Sequence, residues 1–168
     1  QVIDTGFFTQ LGGSSLIGDG KIDMFEALPD DIGERGKNDI PRTYVPFRNG
    51  FIISLAAAWG ELIDAQTIFI GVVEEDSSGY PDCRKEFYKY LSPALAAGTA
   101  NGITVSTPLL EMNKKQIVQQ GELLKLPFEL TWSCYTREDI PCGTCESCLL
   151  RARGFNEAGI KDPLLENK

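Results

Sequence analysis

Four cysteines near the end of the sequence are the residues whose type and spacing most clearly indicate chemistry. They follow the pattern C-x7-C-x2-C-x2-C and are Cys134, Cys142, Cys145 and Cys148. Thiolates bind a soft tetrahedral ion such as Zn²⁺ at about 2.3 Å, and two-residue gaps allow successive thiolates to face one point. The chain contains no histidine, so an all-cysteine set favours a closed structural zinc site over a catalytic one, which keeps a position for water.

Two other interpretations of these cysteines remain open. A pair of disulfides is disfavoured because the cysteine count is five, which is odd. An iron–sulfur cluster is the stronger rival, because a C-x2-C-x2-C run also occurs in cluster proteins. The sequence therefore predicts a metal site, with zinc favoured over iron and sulfur.

A polar loop follows the most apolar predicted strand. Residues 67–73 are β-branched and nearly all apolar, which predicts a central parallel strand covered on both faces. Ligands in such sheets bind beyond the carboxyl ends of the strands, so residues 74–84 form a candidate binding loop. The alternative is a solvated acidic turn made by Gly79 and Pro81. The side chains that could bind or act there are Ser78, Tyr80, Asp82, Cys83 and Arg84.

A second candidate segment opens the first predicted helix. Arg48 and Asn49 lie where backbone N–H groups and the helix dipole attract anions. The alternative is that Asn49 only caps the helix and Arg48 lies on the surface. Of two further residues, we expect Trp132 to pack rather than stack on a ligand. We expect Cys83 to be a packed thiol, since no histidine is present to activate it.

The remaining pattern predicts an α/β fold with a parallel sheet. Apolar residues at helical spacing indicate a buried helix over 48–63, whose apolar positions are Phe51, Ile52, Leu55, Ala58, Trp59, Leu62 and Ile63. A second helix is expected over 83–97, with its apolar positions at Phe87, Tyr90, Leu91, Ala94 and Leu95. A second strand is expected over 103–109, and a third helix is expected to be capped by Asn113 with Gln116 and stopped before Pro127.

Composition limits the classes of function. With 168 residues, 42% of them hydrophobic, the chain can bury one core and carry a small metal lobe. We expect a nucleotide-binding core over 1–130, with a flexible loop at 11–38, and a zinc lobe with a helix over 131–168. A formal charge of −8 argues against broad binding to nucleic acid, and the apolar stretches are too short to cross a membrane. A small-molecule substrate is favoured.

Four phrases of the sequence, taken together, resemble the 7-cyano-7-deazaguanine synthase family of queuosine biosynthesis. They are residues 45–49, 78–84, 130–135 and 142–155. The resemblance implies an adenine-nucleotide α-hydrolase-like (HUP, Rossmann-like) fold with a small C-terminal zinc lobe built on four cysteines. It also implies an ATP-dependent carbon–nitrogen ligase that converts 7-carboxy-7-deazaguanine and ammonia into the nitrile, in a cytoplasmic homodimer.

The same resemblance suggests roles for individual residues. Positive charge near the reacting phosphate is expected from Arg48 and Arg84. Recognition of the deazaguanine is expected from Asn49, Ser78, Tyr80 and Asp82. ATP and Mg²⁺ are the implied cosubstrates, and the structural Zn²⁺ would be held by Cys134, Cys142, Cys145 and Cys148.

One departure from the family pattern affects these expectations. The family's N-terminal strand ends in a Ser-Gly-Gly-x-Asp-Ser pyrophosphate loop, which this sequence lacks. We therefore expect an N-terminally incomplete fold and a chain that is inactive alone. Two alternatives stay open: a zinc-stabilised module that binds a purine or nucleotide without catalysis, and a related pyrophosphatase-type enzyme that modifies tRNA. The acidic balance and the 78–84 phrase count against the tRNA alternative.

Overall fold

A parallel pair of strands flanked by helices carries the candidate binding residues. A computed structural model of the chain describes residues 2–17, 20–27, 40–74 and 79–166. The helices are α1 (Phe7–Leu11), α2 (Arg48–Leu62), α3 (Lys85–Gly98), α4 (Lys114–Leu123), α5 (Glu146–Ala158) and α6 (Pro163–Glu166). The strands are β1 (Thr67–Phe69) and β2 (Thr104–Ser106), and short 3-10 turns lie at Pro81–Cys83 and Phe128–Leu130. No helix among these described residues is long and apolar enough to cross a membrane.

The two strands confirm the predicted parallel sheet but are shorter than predicted. Thr67 pairs with Thr104 and Phe69 with Ser106, and α3 provides the crossover between the strands. Regular pairing ends where the Ile70 N–H donates to the Ser106 carbonyl at 3.0 Å. The second segment then turns over residues 107–110, where Pro108 has no N–H to offer a ladder. Past this turn the segments meet again through one hydrogen bond, from the Glu74 N–H to the Leu110 carbonyl.

The prediction that β1 is covered on both faces was wrong for the described residues. Ile68 packs against the core, whereas Thr67 and Phe69 on the opposite face are exposed, Phe69 by 73%. Alternate residues of a strand point to opposite faces, so β1 has one buried and one open face. The apolar run in the sequence therefore indicates a strand correctly but does not show what covers it.

Helix α2 begins where predicted but buries a different face. The fully buried side chains are Ile53 and Ala57, whereas Ile52, Trp59 and Leu62 from the predicted face are exposed. The helix is apolar on every side, so spacing alone cannot select the buried face. At its N-terminus Phe47 adopts a left-handed backbone with φ 55°.

Helix α3 starts two residues later than predicted, at Lys85, because residues 81–83 form a 3-10 turn. Its buried aromatic residue is Tyr88, whereas Tyr90, which was predicted to face the core, is 64% exposed. Phe87, Leu91 and Leu95 pack against the core as predicted.

Helix α4 confirms the predicted capping. The Gln116 N–H donates to Asn113 Oδ1 at 2.9 Å, and the Asn113 N–H donates to Gln116 Oε1 at 2.9 Å. The helix ends at Leu123, ahead of Pro127. It packs closely on α5, because a Cβ built at Gly154 would lie 2.7 Å from Lys114 Cβ.

The segment between α1 and residue 27 is partly attached to the cysteine-rich lobe. Met24 forms an antiparallel bridge with Cys145, and the Phe25 N–H donates to the Thr144 carbonyl at 2.8 Å. Ile22 packs against the buried cysteines. Residues 18–19 and 28–38 of the predicted loop at 11–38 lie outside the described residues.

Replacement of Gly154 by alanine should destabilise the protein, although alanine normally favours a helix over glycine. The added methyl group would push α5 from α4, and overpacking of this kind costs about 1–3 kcal/mol. The matched control is Gly98→Ala at the end of α3, where a Cβ meets nothing within 4 Å. It should leave stability unchanged or raise it by up to about 1 kcal/mol. Urea unfolding of the two variants measures the difference, and equal stabilities would contradict the close helix contact.

Candidate active site and metal centre

The four cysteines of the sequence pattern come together in space. Their Sγ atoms all lie within 4.8 Å of one another, and those of Cys142 and Cys148 are 3.9 Å apart. A tetrahedral ion with bonds of about 2.3 Å to sulfur requires sulfur–sulfur separations of about 3.8 Å, so small shifts would complete the shell. No disulfide joins any of the five cysteines. The cluster can therefore hold one metal ion with an all-sulfur shell.

Backbone hydrogen bonds favour the thiolate form of Cys142 in this cluster. The N–H groups of Thr144 and Cys145 point at Cys142 Sγ, at 3.4 and 3.2 Å. Burial raises the pKa of the Cys142 thiol, but hydrogen bonds from Thr136, Thr144 and Cys145 outweigh it and lower that pKa to about 5. A thiolate is the form that binds a metal.

Trp132 fixes the loop that carries the first cysteine. Its indole N–H lies 3.1 Å from the Cys134 carbonyl and 3.2 Å from the Arg137 carbonyl. The residue is 42% exposed, so the ring is only partly packed. Trp132 therefore stabilises this loop through its hydrogen bonds rather than through burial of its ring.

A cavity of about 450 Å³ lies between the sheet and the cysteine-rich lobe. Residues 71–73, which follow β1, form part of its wall, as expected for a ligand site beyond the carboxyl end of a parallel strand. Its volume falls in the range of small-molecule sites, roughly 300–1,000 Å³. The first residues of three helices also line it: Arg48 of α2, Lys114 of α4 and Glu146 of α5. Three helix N-termini and two cationic side chains favour an anionic group in this cavity.

Three of the predicted site residues line the cavity, namely Arg48, Asn49 and Tyr80. The Tyr80 hydroxyl lies 2.6 Å from Thr43 Oγ1. Burial raises the pKa of Tyr80 above its usual range, and the hydrogen bond with Thr43 opposes this shift only in part. Tyr80 is therefore a neutral hydrogen-bonding group in this wall.

Asp82 and Asn49 tie the start of α2 to the turn at residues 81–83. Asp82 Oδ2 accepts a hydrogen bond from the Asn49 N–H at 2.8 Å, and Asp82 is buried. Burial raises the pKa of Asp82, and the bond from Asn49 acts in the opposite direction. The Asn49 side-chain amide donates to Cys83 Sγ at 3.2 Å. Cys83 is buried and packs in the core, as expected for a packed thiol, and it also lines the cavity.

The remaining predicted site residues are not found in the described lining of the cavity. Arg84 donates from Nη2 to the Gly79 carbonyl at 3.1 Å, and it is not among the described residues that line the cavity. Asp82 is also outside that lining. Ser78 lies outside the described residues.

The cavity also contains residues that the sequence analysis did not select. Ser133 and Tyr135 flank Cys134, and Glu146 and Ser147 are the two residues between Cys145 and Cys148. Their positions next to the cysteines were a usable signal, because residues that adjoin metal ligands in the chain are held close to the metal site. Lys114 had no comparable signal, since its role depends on where α4 begins in space.

Arg151 also lines the cavity, and its hydrogen bonds connect α5 to neighbouring segments of the lobe. It forms a bidentate ion pair with Asp162, at 2.5 Å from Nε and 2.8 Å from Nη2, and both side chains are largely buried. It also donates to Thr131 Oγ1 at 2.7 Å and to the Phe128 carbonyl at 3.2 Å. Its charge is therefore already neutralised by a protein carboxylate.

Comparison with known proteins gives one consistent result. The model of a family described as "Queuosine biosynthesis protein QueC" matches residues 1–159. A protein of Koribacter versatilis named 7-cyano-7-deazaguanine synthase is 50% identical over 163 residues, which is 96% of this chain and 66% of that protein. Proteins of the same name from Chlorobium phaeobacteroides and a Nitratiruptor species are 47% and 51% identical. The chain spans 70% and 71% of the length of those two relatives.

Proposed function

Because the chain belongs to the QueC family of queuosine biosynthesis proteins, we propose that it forms 7-cyano-7-deazaguanine, the product in its relatives' name. The proposed substrates are 7-carboxy-7-deazaguanine, ammonia and ATP, with Mg²⁺ accompanying the ATP phosphates. The observation that carries this proposal is the cavity beyond β1, which is lined by the first residues of three helices, the cations Arg48 and Lys114 and the carboxylate Glu146. A cytoplasmic homodimer that binds no nucleic acid completes the proposal and rests on the family resemblance and the charge of −8.

The reaction determines what the cavity must stabilise. A carboxylate oxygen leaves only after it has attacked the α-phosphorus of ATP, a step that forms an acyl adenylate and releases pyrophosphate; the activated oxygen then leaves as part of AMP. Ammonia then attacks the carbonyl carbon, the activated oxygen leaves, and an amide forms. A second activation of the amide oxygen, followed by its departure and the loss of two N–H protons, gives the nitrile. Negative charge develops on phosphate oxygens in each activation, so fixed positive groups lower the barrier.

Arg48 has the most direct catalytic assignment within this proposal. It is the first residue of α2, it lines the cavity, and its guanidinium adds to the positive end of the helix dipole. Asn49 and Tyr80 share the wall and are proposed to contact the substrate. Arg84 is proposed to act through the loop, because its guanidinium holds the Gly79 carbonyl next to Tyr80.

Asp82 is likewise proposed to position rather than bind. Its carboxylate holds the Asn49 N–H, so it fixes the start of α2 without facing the cavity. Ser78 stays a predicted substrate-binding residue, on the resemblance of residues 78–84 alone.

The metal is proposed to be a structural Zn²⁺ bound by Cys134, Cys142, Cys145 and Cys148. The donor set supports this assignment, because four thiolates close a tetrahedral shell and leave no position for water. When bound, the ion supplies a cross-link in the lobe rather than reaction chemistry. Its protein ligands would hold Ser133, Tyr135, Glu146 and Ser147 in the cavity wall.

Substitution of Arg48 by alanine should reduce turnover far more than stability. Removal of one charged group that stabilises the transition state costs about 10²–10³-fold in kcat. The assay follows conversion of 7-carboxy-7-deazaguanine, ATP and ammonia to the nitrile by mass spectrometry, in the protein that contains this sequence. The control is Arg153→Ala on α5, which removes a guanidinium paired with Glu157 outside the described lining. A folded, metal-loaded wild-type protein that consumes ATP without forming the nitrile would contradict the proposed function.

Loss of the metal should unfold the lobe. We expect one zinc ion per chain by elemental analysis, no visible absorption of an iron–sulfur cluster, and a large drop in melting temperature after chelation, because structural zinc contributes folding free energy. Cys145→Ser should reproduce the drop, whereas Cys83→Ser, at the cysteine outside the cluster, should retain the ion. An unchanged melting curve after complete removal of the metal would refute a structural zinc site.

A further inference from the structure

One lining residue, at the start of α5, carries a charge opposite to that of the other charged lining residues. Four lining residues have permanently charged side chains at neutral pH, namely Arg48, Lys114, Glu146 and Arg151. Arg48 and Lys114 are the first residues of α2 and α4, and Arg151 is paired with Asp162. Among the lining residues that the structure describes, Glu146 is the one carboxylate. A ligand that fits this pattern is anionic at one end and donates hydrogen bonds at the other.

Glu146 is held in place by the backbone on both sides. It follows Cys145, which is 0% exposed, and precedes Cys148, which is 7% exposed, so both neighbouring anchors are buried in the cysteine cluster. It is also the first residue of α5, where the helix dipole favours the ionised form of a carboxylate. Glu146 lines the same cavity as Arg48, Asn49 and Tyr80. The carboxylate therefore belongs to the same binding space as the predicted residues.

A 7-carboxy-7-deazaguanine has the required bipolar pattern. Its carboxylate is anionic, and its pyrimidine edge carries two adjacent donors, the N1–H and the 2-amino group. A carboxylate accepts only, and its two oxygens can accept from two parallel donors at once. No hydroxyl or phenol in the described part of the wall offers that pair of acceptors.

On the basis of the proposed function, we propose that Glu146 is the specificity-determining residue that accepts hydrogen bonds from the N1–H and 2-amino group of the deazaguanine. This orientation directs the 7-carboxylate of the base towards Arg48 and Lys114, the first residues of α2 and α4. Glu146 thus distinguishes a guanine-type edge from one that lacks the amino group.

The test compares two ligands on the metal-loaded protein by calorimetry: 7-carboxy-7-deazaguanine and its analogue without the 2-amino group, 7-carboxy-7-deazahypoxanthine. Wild type should bind the first at least about 10-fold more tightly, and Glu146→Gln should weaken binding of the first by about 10- to 100-fold, the effect of losing hydrogen bonds to a charged acceptor. It should weaken binding of the analogue less, so that the two ligands become nearly equal.

Glu157→Gln is the matched control, because it removes the same charge from the exposed side of the same helix. It should retain the wild-type preference. If Glu146→Gln loses the metal, Glu146→Asp replaces it. Aspartate keeps the carboxylate one methylene further back, and it should bind more weakly with the preference retained.

The outcomes separate this inference from the proposed function. A folded Glu146→Gln protein that keeps the full preference for the 2-amino ligand would overturn the role of Glu146 and leave the proposed function intact. A folded, metal-loaded wild type that binds neither base would overturn the proposed function and the role of Glu146 together.

Discussion

The cluster of four cysteines fixes one whole wall of the cavity, and the rest of the candidate site is arranged against that wall. Ser133 and Tyr135 are covalent neighbours of Cys134, while Glu146 and Ser147 lie between Cys145 and Cys148. Because these four residues adjoin the cysteines in the chain, the position of the sulfurs restricts where their side chains can lie. In the proposed function, a structural metal at this place would therefore support ligand recognition by holding these residues in the wall.

The rest of the cavity depends on packing rather than on sulfur. Helix α4 approaches α5 at Gly154, so the N-terminus of α4 with Lys114 lies close to the lobe. The buried pair of Arg151 and Asp162 joins α5 to residues 128–131 and to the segment before α6. A buried ion pair of this kind is costly to break on one side, because the remaining charge loses its partner. Helix α5 therefore takes part both in the cysteine cluster and in the packing contacts that form the rest of the cavity.

The sequence was sufficient where a local pattern has one structural solution. The cysteine spacing predicted the cluster, and Asn113 with Gln116 predicted the cap of α4, because each depends only on residues within a few positions. It was insufficient where the answer depends on distant neighbours. Helix α2 is apolar all round, so its buried face follows from the elements that contact Ile53, and Phe69 is exposed because one face of β1 is open.

The candidate site shows the same division. Arg48, Asn49 and Tyr80 were found because they follow or precede predicted elements, whereas Lys114 and Arg151 act through tertiary contacts that no local pattern contains. Glu146 lies inside the cysteine motif, but the sequence pattern gave no reason to select it as a site residue. The most direct test of the whole account is a crystal structure of the metal-loaded protein with 7-carboxy-7-deazaguanine. We expect the base in the cavity of about 450 Å³, with its 2-amino edge at Glu146 and its carboxylate towards Arg48 and Lys114. A base bound elsewhere, with this cavity containing only solvent, would contradict it.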